Sequence, residues 1–357
     1  MEKIIKAAVD RGASDLHIKA GDVFRARIDG KLVPLTKQAL TPEQTRSIAL
    51  KLIPNEEDRA RIDKIQDYDC SWGAQGIGRF RVNILRQRSS FMIVMRVIPF
   101  EAPTFEKLHL PAVMKTIAES ERGMVLVTGV TGSGKSSTMA AVVNHINATM
   151  HKHIVTLENP LEFLHRDIQC SITQREIGVD TESFRMGLRA ALRQDPDVIL
   201  IGEMRDTETV RAALQASETG HLVLSTLHTV DATETVNRVI DFFPPHQQNQ
   251  IRLTLAGALK GIVCQRLVPS LDGGLMPCHE ILVNTGRIAE RVADEAKTAE
   301  IHDVIAEGDY YGMVTFDRSL LHLVQEGKVS IEDAMAASSS THDFLLQLQQ
   351  AGIAVNA

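Results

Sequence analysis

A short glycine-rich segment constrains this chain more than any other part of its sequence. Residues 129–136 read Gly-Val-Thr-Gly-Ser-Gly-Lys-Ser, which fits the pattern G-x-x-x-x-G-K-[ST], and they follow an apolar run at 124–127. A buried strand that passes through glycines into a helix is the setting in which this pattern binds phosphate. The glycines let backbone N–H groups surround the phosphates, and the helix directs the positive end of its dipole at the same charge. The sequence therefore predicts binding and hydrolysis of a nucleoside triphosphate.

The residues of this phosphate loop have distinct expected roles. Lys135 is expected to contact the β- and γ-phosphates, and the Ser136 hydroxyl is expected to bind Mg²⁺. An ordinary glycine-rich turn is the alternative, but strand, loop and helix all agree with the phosphate loop. The expected nucleotide-binding residues are Gly129, Val130, Thr131, Gly132, Ser133, Gly134, Lys135, Ser136 and Ser137.

With 357 residues, the chain is long enough for two domains or more. Short alternating stretches up to residue 98, including a hairpin around Asp29-Gly30 and a helix capped by Thr41, predict a small α+β domain. Beyond a proline-punctuated link, near-continuous apolar stretches alternate with helices, which is typical of a parallel sheet covered on both faces. From Gly286 onward the pattern predicts helices only, the first of them at 287–296. We therefore expect an amino-terminal domain at 1–99, a linker at 100–110, an ATPase domain at 111–285 and a helical region at 286–357.

Composition excludes several classes of protein. A formal net charge of −6 argues against a broad nucleic-acid-binding surface, because phosphate contacts need clustered Lys and Arg. The four cysteines lie far apart without a C-x-x-C pair, so neither a zinc site nor a disulfide framework is expected. No apolar run approaches 18 residues, and the chain starts with an amphipathic helix rather than a signal peptide. We therefore expect a cytoplasmic protein.

Carboxylates follow two of the predicted strands. Glu158 and Glu162 follow the strand at 153–157, and Glu203 follows the next strand. Ligands bind outside the carboxyl ends of parallel strands, so these side chains are expected near the γ-phosphate. We predict that Glu162 orients the attacking water as general base, that Glu158 binds a metal-bound water, and that Glu203 holds Mg²⁺ through water. A strand-terminal acidic turn held by Pro160 is the alternative for the first pair.

Two arginines and two histidines are further candidates. Arg189 and Arg193 are four residues apart and are predicted on one helix face, where they would reach phosphate, a neighbouring subunit's site or nearby acidic side chains. His228, at the carboxyl end of the strand at 221–226, is placed to sense the γ-phosphate, with a purely structural role as the alternative. His221 is expected to be a buried residue that links strands by hydrogen bonding.

Together these motifs resemble the PilT/PilU hexameric motor ATPases of type IV pili, within the secretion ATPase superfamily. The resemblance implies an α/β protein, with a PAS-like α+β amino-terminal domain followed by a RecA-like P-loop ATPase domain and a carboxyl-terminal helical region. The matching segments cover nearly the whole chain and are residues 14–17, 78–82, 127–136, 158–163, 174–178, 188–193, 202–206, 218–221, 226–229 and 312–317.

The resemblance also implies roles for individual residues. Glu162 corresponds to the catalytic base at the end of the family's Asp box, Glu203 carries the atypical Walker B role, and His221 with His228 forms the His box. In a homohexamer, Arg81 and Arg96 of the small domain would complete the nucleotide site of the neighbouring subunit. In a monomer they would be a charged strand face instead.

A motor driven by ATP and Mg²⁺ is the activity that the resemblance implies. It would power type IV pilus retraction and twitching motility through an inner-membrane platform protein, with only peripheral contact to the membrane machinery and no direct nucleic acid. Two positions depart from the family pattern: Asn159 replaces the Asp-box Asp, and Ala289-Glu290 replaces the Arg-Asn pair of the retraction signature.

Four alternatives stay open. The first is an accessory, PilU-like motor subunit that acts with a second PilT-like ATPase. The second is a pilus assembly or type II secretion ATPase, although these normally add a longer amino-terminal region and a four-cysteine zinc element. The third is a regulatory module with poor turnover, and the fourth is a nucleic-acid translocase.

Overall fold

The computed structural model describes residues 1–99 and 101–354. The first residue of the expected linker and the last three of the expected helical region therefore lie outside the described residues. The chain forms two compact units, one of Met1–Glu101 with Pro160–Leu164 and one of Ala102–Asn159 with His165–Ala357. The domain limits expected at 99, 110 and 285 stay predictions.

The first unit is built on an antiparallel sheet of six strands in the order β3-β2-β1-β6-β5-β4. Leu16, Ile18, Phe80, Val82 and Ile93 are buried in its core. The strands are β1 (Asp15–Lys19), β2 (Arg25–Ile28), β3 (Lys31–Pro34), β4 (Asp67–Ala74), β5 (Gly78–Gln87) and β6 (Ser90–Ile98), and the helices are α1 (Glu2–Val9), α2 (Pro42–Leu52) and α3 (Glu56–Ala60), followed by a 3₁₀ turn at Ile62–Lys64.

Two local predictions in this unit are confirmed. Asp29 and Gly30 join β2 to β3 with φ of 48° and 75°, the left-handed pair that a two-residue hairpin turn requires. The Thr41 hydroxyl accepts from the Gln44 N–H, and the Gln44 side chain accepts from the Thr41 N–H, so the capping box that starts α2 is complete.

The second unit contains a seven-stranded sheet in the order β13-β12-β7-β11-β10-β8-β9. Its strands are β7 (Gly123–Thr128), β8 (His153–Glu158), β9 (Ser171–Glu176), β10 (Val198–Ile201), β11 (Leu222–Leu227), β12 (Leu259–Pro269) and β13 (Leu275–Val283). Its helices are α4 (Val113–Ala118), α5 (Lys135–Thr149), α6 (Phe184–Ala191), α7 (Thr207–Glu218), α8 (Ala232–Asp241), α9 (Pro245–Ala258), α10 (Gly286–Ala293), α11 (Ile301–Ala306), α12 (Phe316–Gln325), α13 (Ile331–Ala337) and α14 (Thr341–Gln350), with 3₁₀ turns at Glu295–Glu300 and Asp309–Tyr311.

Burial on both faces of this sheet explains its apolar strands. Along β7, Met124 and Leu126 pack into one hydrophobic cluster, whereas Val125 and Val127 pack into another. Successive side chains point to opposite faces of a strand, so a strand covered on both sides must be apolar throughout. The predicted α/β class is confirmed. Among the described residues, none of the helices is both long and apolar enough to span a membrane.

Three strands of the second unit were not predicted. The edge strand β9 is largely polar and only partly buried, so it lacks the apolar run that marks the other strands. Strands β12 and β13 are joined by a short turn with Gly273 and Gly274 in left-handed conformations, and such a turn permits only antiparallel pairing. The sheet is therefore mixed rather than wholly parallel.

The helix expected at 287–296 is shorter than predicted. Helix α10 ends at Ala293, because Asp294 adopts an extended conformation and its side chain accepts from the N–H of Ala296. A 3₁₀ segment, Glu295–Glu300, then leads into α11. Capping by Asp294 therefore ends the helix three residues before the predicted limit.

A buried histidine on β13 makes a testable contribution to stability. Burial lowers the pKa of His279 to about 4, and its Nε2 has no hydrogen-bond partner among the described residues. The unfolded chain has the higher pKa, so it binds the proton first and stability falls as the pH drops from about 6.5 towards 4. Between pH 7 and pH 5 we expect this group alone to cost about 2 kcal/mol of the free energy of unfolding.

Denaturant unfolding at pH 7 and pH 5 measures this effect. From pH 7 to pH 5, the free energy of unfolding of the His279→Gln variant should fall by about 2 kcal/mol less than that of the wild type. A variant at the exposed His246, His246→Gln, is the matched control and should keep the wild-type difference. Equal pH dependence in wild type and His279→Gln would contradict the prediction.

Candidate nucleotide-binding site

The phosphate loop lies between β7 and α5, as predicted, and its glycines are required by geometry. Gly129, Gly132 and Gly134 have φ of 144°, 82° and 87°. A Cβ at Gly129 would lie 2.4 Å from the carbonyl oxygen of Gln265, and one at Gly134 would lie 2.7 Å from the Nε2 of Gln265. Any other residue at Gly129 or Gly134 would combine backbone strain with a steric clash.

The side chains of the loop suit an anionic ligand. Lys135 is buried, and its Nζ donates to the carbonyl oxygens of Gly129 and Val130 at 2.7 and 2.9 Å, so the ammonium is held within the loop. The Ser133 hydroxyl is buried and has no hydrogen-bond partner among the described residues. Ser136 is exposed in the first turn of α5. Loop, lysine and helix start together form a site for phosphate.

Gln265 on β12 supports the loop and was not predicted. It follows Cys264, which pairs in parallel register with Thr128 at the end of β7. Its buried amide donates from Nε2 to the Ser133 carbonyl oxygen at 2.6 Å and accepts at Oε1 from the Thr138 hydroxyl at 2.7 Å. Because Gln265 is far from the loop in sequence and lies on a strand that was not predicted, no local pattern could have identified it.

Glu203 and His228, predicted separately, lie together. The side chain of Glu203 is only 13% exposed, and its Oε1 lies 2.5 Å from an Nη of Arg205. The Nε2 of His228 is 3.7 Å from the other Glu203 oxygen. These residues border a cavity of about 320 Å³, and its lining is Glu203, Met204, Arg205, Leu227, His228, Thr229, Glu234, Arg238 and Phe242.

Four predicted positions follow neighbouring strands of the same sheet. The phosphate loop follows β7, His228 follows β11, Glu203 follows β10, and Glu158 ends β8. Except for β13, the strands are parallel, so these positions share the carboxyl edge of the sheet, where ligands bind in open α/β folds. Hydrogen bonds from the Thr156 hydroxyl at 2.7 Å and the Gln174 amide at 3.3 Å orient the Glu158 carboxylate.

Glu162 and Glu158 belong to different compact units, although they are close in sequence. Glu162 is exposed on Pro160–Leu164, which belongs to the first unit, whereas Glu158 and Asn159 belong to the second. The N–H of Leu164 donates to the carbonyl oxygen of Pro99 at 3.1 Å, which anchors this segment in the first unit. Its predicted role as general base stays a prediction.

The predicted placement of Arg189 and Arg193 on one helix face is wrong. Helix α6 ends at Ala191, so Arg193 follows the helix, and its Nη1 donates to the carbonyl oxygen of Arg189 at 3.0 Å. Both side chains are exposed. His221 is half-buried rather than buried: its Nδ1 lies 3.0 Å from the carbonyl oxygen of Ala216 near the end of α7, and its own carbonyl oxygen accepts from the N–H of Gly123 at the start of β7 at 3.0 Å.

Arg81 and Arg96 lie directly opposite each other on β5 and β6, and both are exposed. The Nε of Arg96 donates to an oxygen of the buried Asp15 at 2.9 Å. Burial would raise the pKa of Asp15, but hydrogen bonds from Arg96 and Ser14 hold it below its ordinary value. Asp15 therefore fixes Arg96 on the sheet.

Comparison with known proteins agrees with this geometry. A family model of type II/IV secretion system proteins matches residues 1–349. The type IV pilus ATPase PilU of Pseudomonas aeruginosa is 40% identical over 351 residues, which cover 98% of this chain and 91% of PilU. The type IV pilus retraction ATPase PilT of the same organism is 39% identical over 342 residues, which cover 96% of this chain and 99% of PilT.

A solved structure extends the likeness to the fold. The crystal structure of the pilus retraction motor PilT with bound ADP matches with a TM-score of 0.87 and 41% identity, over 96% of this chain and 98% of that chain. A match over that share of the chain includes most of both units. The chain belongs to the type II/IV secretion system protein family, and within that family it is a nucleotide-binding ATPase of the PilT/PilU kind.

Proposed function

We propose that this protein is a hexameric, Mg²⁺-dependent ATPase motor that retracts type IV pili and so drives twitching motility. The observation that carries the proposal is the shared carboxyl edge of β7, β10 and β11, which holds the phosphate loop, Glu203 and His228. Identities of 40% and 39% to two pilus ATPases over nearly the whole chain support the choice of pilus machinery.

Nucleotide binding falls to the phosphate loop in this proposal. Lys135 and the N–H groups of the loop bind the phosphates, and residues up to Ser137 complete the cradle. Mg²⁺ usually takes one or two protein ligands and completes its shell with water and substrate phosphates, and Ser136 with Glu203 fits that requirement. When bound, the ion neutralises charge that develops on the phosphates. Glu158 would hold a water of the metal shell.

Hydrolysis depends on groups outside the loop. Glu162 orients the attacking water and accepts its proton, and His228 senses the γ-phosphate beside Glu203. Arg81 and Arg96 complete the site of the neighbouring subunit, and Arg189 and Arg193 contact phosphate or the neighbouring subunit.

The proposed motor works through its assembly. Each subunit interface closes on ATP and opens after hydrolysis, which converts turnover into domain motion around a homohexameric ring. The ring acts in the cytoplasm on a platform protein at the inner-membrane face, without direct nucleic acid. We further propose domain limits of 1–99 for a PAS-like domain, 111–285 for the RecA-like domain and 286–357 for the helical region, with a linker at 100–110.

An accessory, PilU-like motor that joins a second PilT-like ring is the second candidate, and one region favours it. Ala289 and Glu290 stand where the retraction signature has Arg-Asn, and Glu290 is engaged in ion pairs with Arg291 and Lys297 at 2.7 and 2.5 Å. A carboxylate in such a cluster presents a different surface from an arginine-asparagine pair.

Gene deletion, with surface pili counted per cell and twitching scored, tests both candidates. The retraction motor predicts more pili and lost twitching, both reversed by the wild-type gene and not by a Lys135→Ala allele. A normal number of pili would favour the accessory role, and few pili would indicate an assembly ATPase and overturn the retraction proposal.

A further inference from the structure

A buried carboxylate outside the nucleotide site contacts both α8, the helix that follows the His228 loop, and the carboxyl-terminal helix α11. The side chain of Glu280 on β13 is 4% exposed. Its Oε1 accepts from the N–H of Ala232, the first residue of α8, at 2.9 Å, and its Oε2 lies 3.6 Å from Nδ1 of His302 on α11. A carboxylate withdrawn from water needs such partners, and both a helix start and a protonated imidazole supply positive charge.

The helix start that Glu280 holds is joined directly to the loop that carries His228. Thr229, which follows His228, is buried, and its hydroxyl lies 2.7 Å from the hydroxyl of Thr235 on α8. The Thr235 hydroxyl also lies 3.5 Å from that of Thr128, the last residue of β7 before the phosphate loop. The first turn of α8 therefore contacts the β7 strand, the His228 loop and β13 at once.

We propose that Glu280 is a positioning residue that fixes His228 beside Glu203 through its hydrogen bond to the start of α8. In this scheme His302, on α11, controls that interaction through its contact with Glu280. Neither Glu280 nor His302 touches the nucleotide in this scheme. The inference rests on the sensor role of His228 in the proposed function. It goes further by naming the route through which a change in the helical region alters turnover.

The charges around His302 determine how the contact between His302 and Glu280 depends on pH. The hydrogen bond and charge of Glu280 on β13, with the charges of Asp303 on α11 and Asp317 on α12, raise the pKa of His302 against the effect of burial. Below that pKa the imidazolium faces Glu280, and above it the proton is lost. The positioning of His228 is therefore complete at lower pH and weakens as the pH rises through that pKa.

Steady-state ATPase assays of the full-length protein between pH 6 and pH 9 test the proposal. We expect the wild-type kcat to fall about threefold or more as the pH rises through the His302 pKa, with the KM for ATP within about twofold. His302→Gln should give the lower kcat at every pH, and His302→Lys should keep the higher value throughout because its charge is permanent over this range. His322→Gln, at an exposed histidine of α12, is the matched control and should keep the wild-type profile.

Two further variants separate this inference from the proposed function. Glu280→Gln should lower kcat at every pH. If this variant does not fold, the pH profiles of His302→Gln and His302→Lys still test the proposal. If His228→Ala keeps the wild-type kcat, the sensor role in the proposed function fails. If His228→Ala loses kcat while His302→Gln and His302→Lys keep the wild-type pH profile, only the coupling through Glu280 is overturned.

Discussion

Replacement of Glu162 by glutamine is expected to reduce ATP turnover about 100-fold or more while nucleotide affinity stays within about twofold. Glutamine has nearly the shape of glutamate but cannot accept the proton of the attacking water, and a positioned general base contributes about 10²–10⁴ in rate. Glu162 is exposed, so its replacement removes no core contact and the fold should persist. Single-turnover hydrolysis and equilibrium binding of a fluorescent nucleotide measure the two quantities separately.

Glu158→Gln is the matched control for this prediction. Hydrogen bonds from Thr156 and Gln174 both occupy the Oε1 of Glu158, which suits a supporting position rather than a proton acceptor. We expect a loss of turnover of about tenfold, at the lower end of what groups that support a metal site contribute. If Glu158→Gln lost as much turnover as expected for Glu162→Gln, and Glu162→Gln retained activity, the two assignments would have to be exchanged.

Removal of the Gln265 side chain is expected to raise the KM for ATP by about 10- to 100-fold with a much smaller effect on kcat. The Gln265→Ala change leaves the Ser133 carbonyl and the Thr138 hydroxyl without their buried partner, and each unsatisfied group costs about 1–3 kcal/mol. The phosphate loop relaxes to other conformations, so nucleotide binding must restore its geometry. A tenfold change in KM corresponds to about 1.4 kcal/mol of that cost.

Gln265→Glu separates hydrogen bonding from packing. Glutamate fills the same volume and can still accept from Thr138, but it places an oxygen against the Ser133 carbonyl oxygen. We therefore expect a rise in KM comparable to that of Gln265→Ala. A wild-type KM in Gln265→Glu would show that the volume of the side chain, and not its bond to the loop, supports nucleotide binding. Gln247→Ala on α9 serves as an unrelated control.

Elements with strong local signals were predicted correctly. The Asp29-Gly30 turn, the capping box at Thr41 and the strand that leads into the phosphate loop each depend on residues adjacent in sequence. Strands β12 and β13 escaped prediction because their pairing depends on contacts with β7 and with each other rather than on a periodic pattern. Arg193 was misplaced because helix α6 ends two residues before it.

The sequence by itself determined the phosphate loop, the α/β class and the family, because glycine conformation, apolar runs and motif spacing act over a few residues. Tertiary structure alone decided which distant residues support the site. Gln265 meets Ser133 and Glu203 meets His228 because parallel pairing sets these positions at one edge of the sheet, and Glu280 meets Ala232 because β13 pairs antiparallel with β12. Such pairs lie tens of residues apart or more, so only the order and register of the sheet place them in contact.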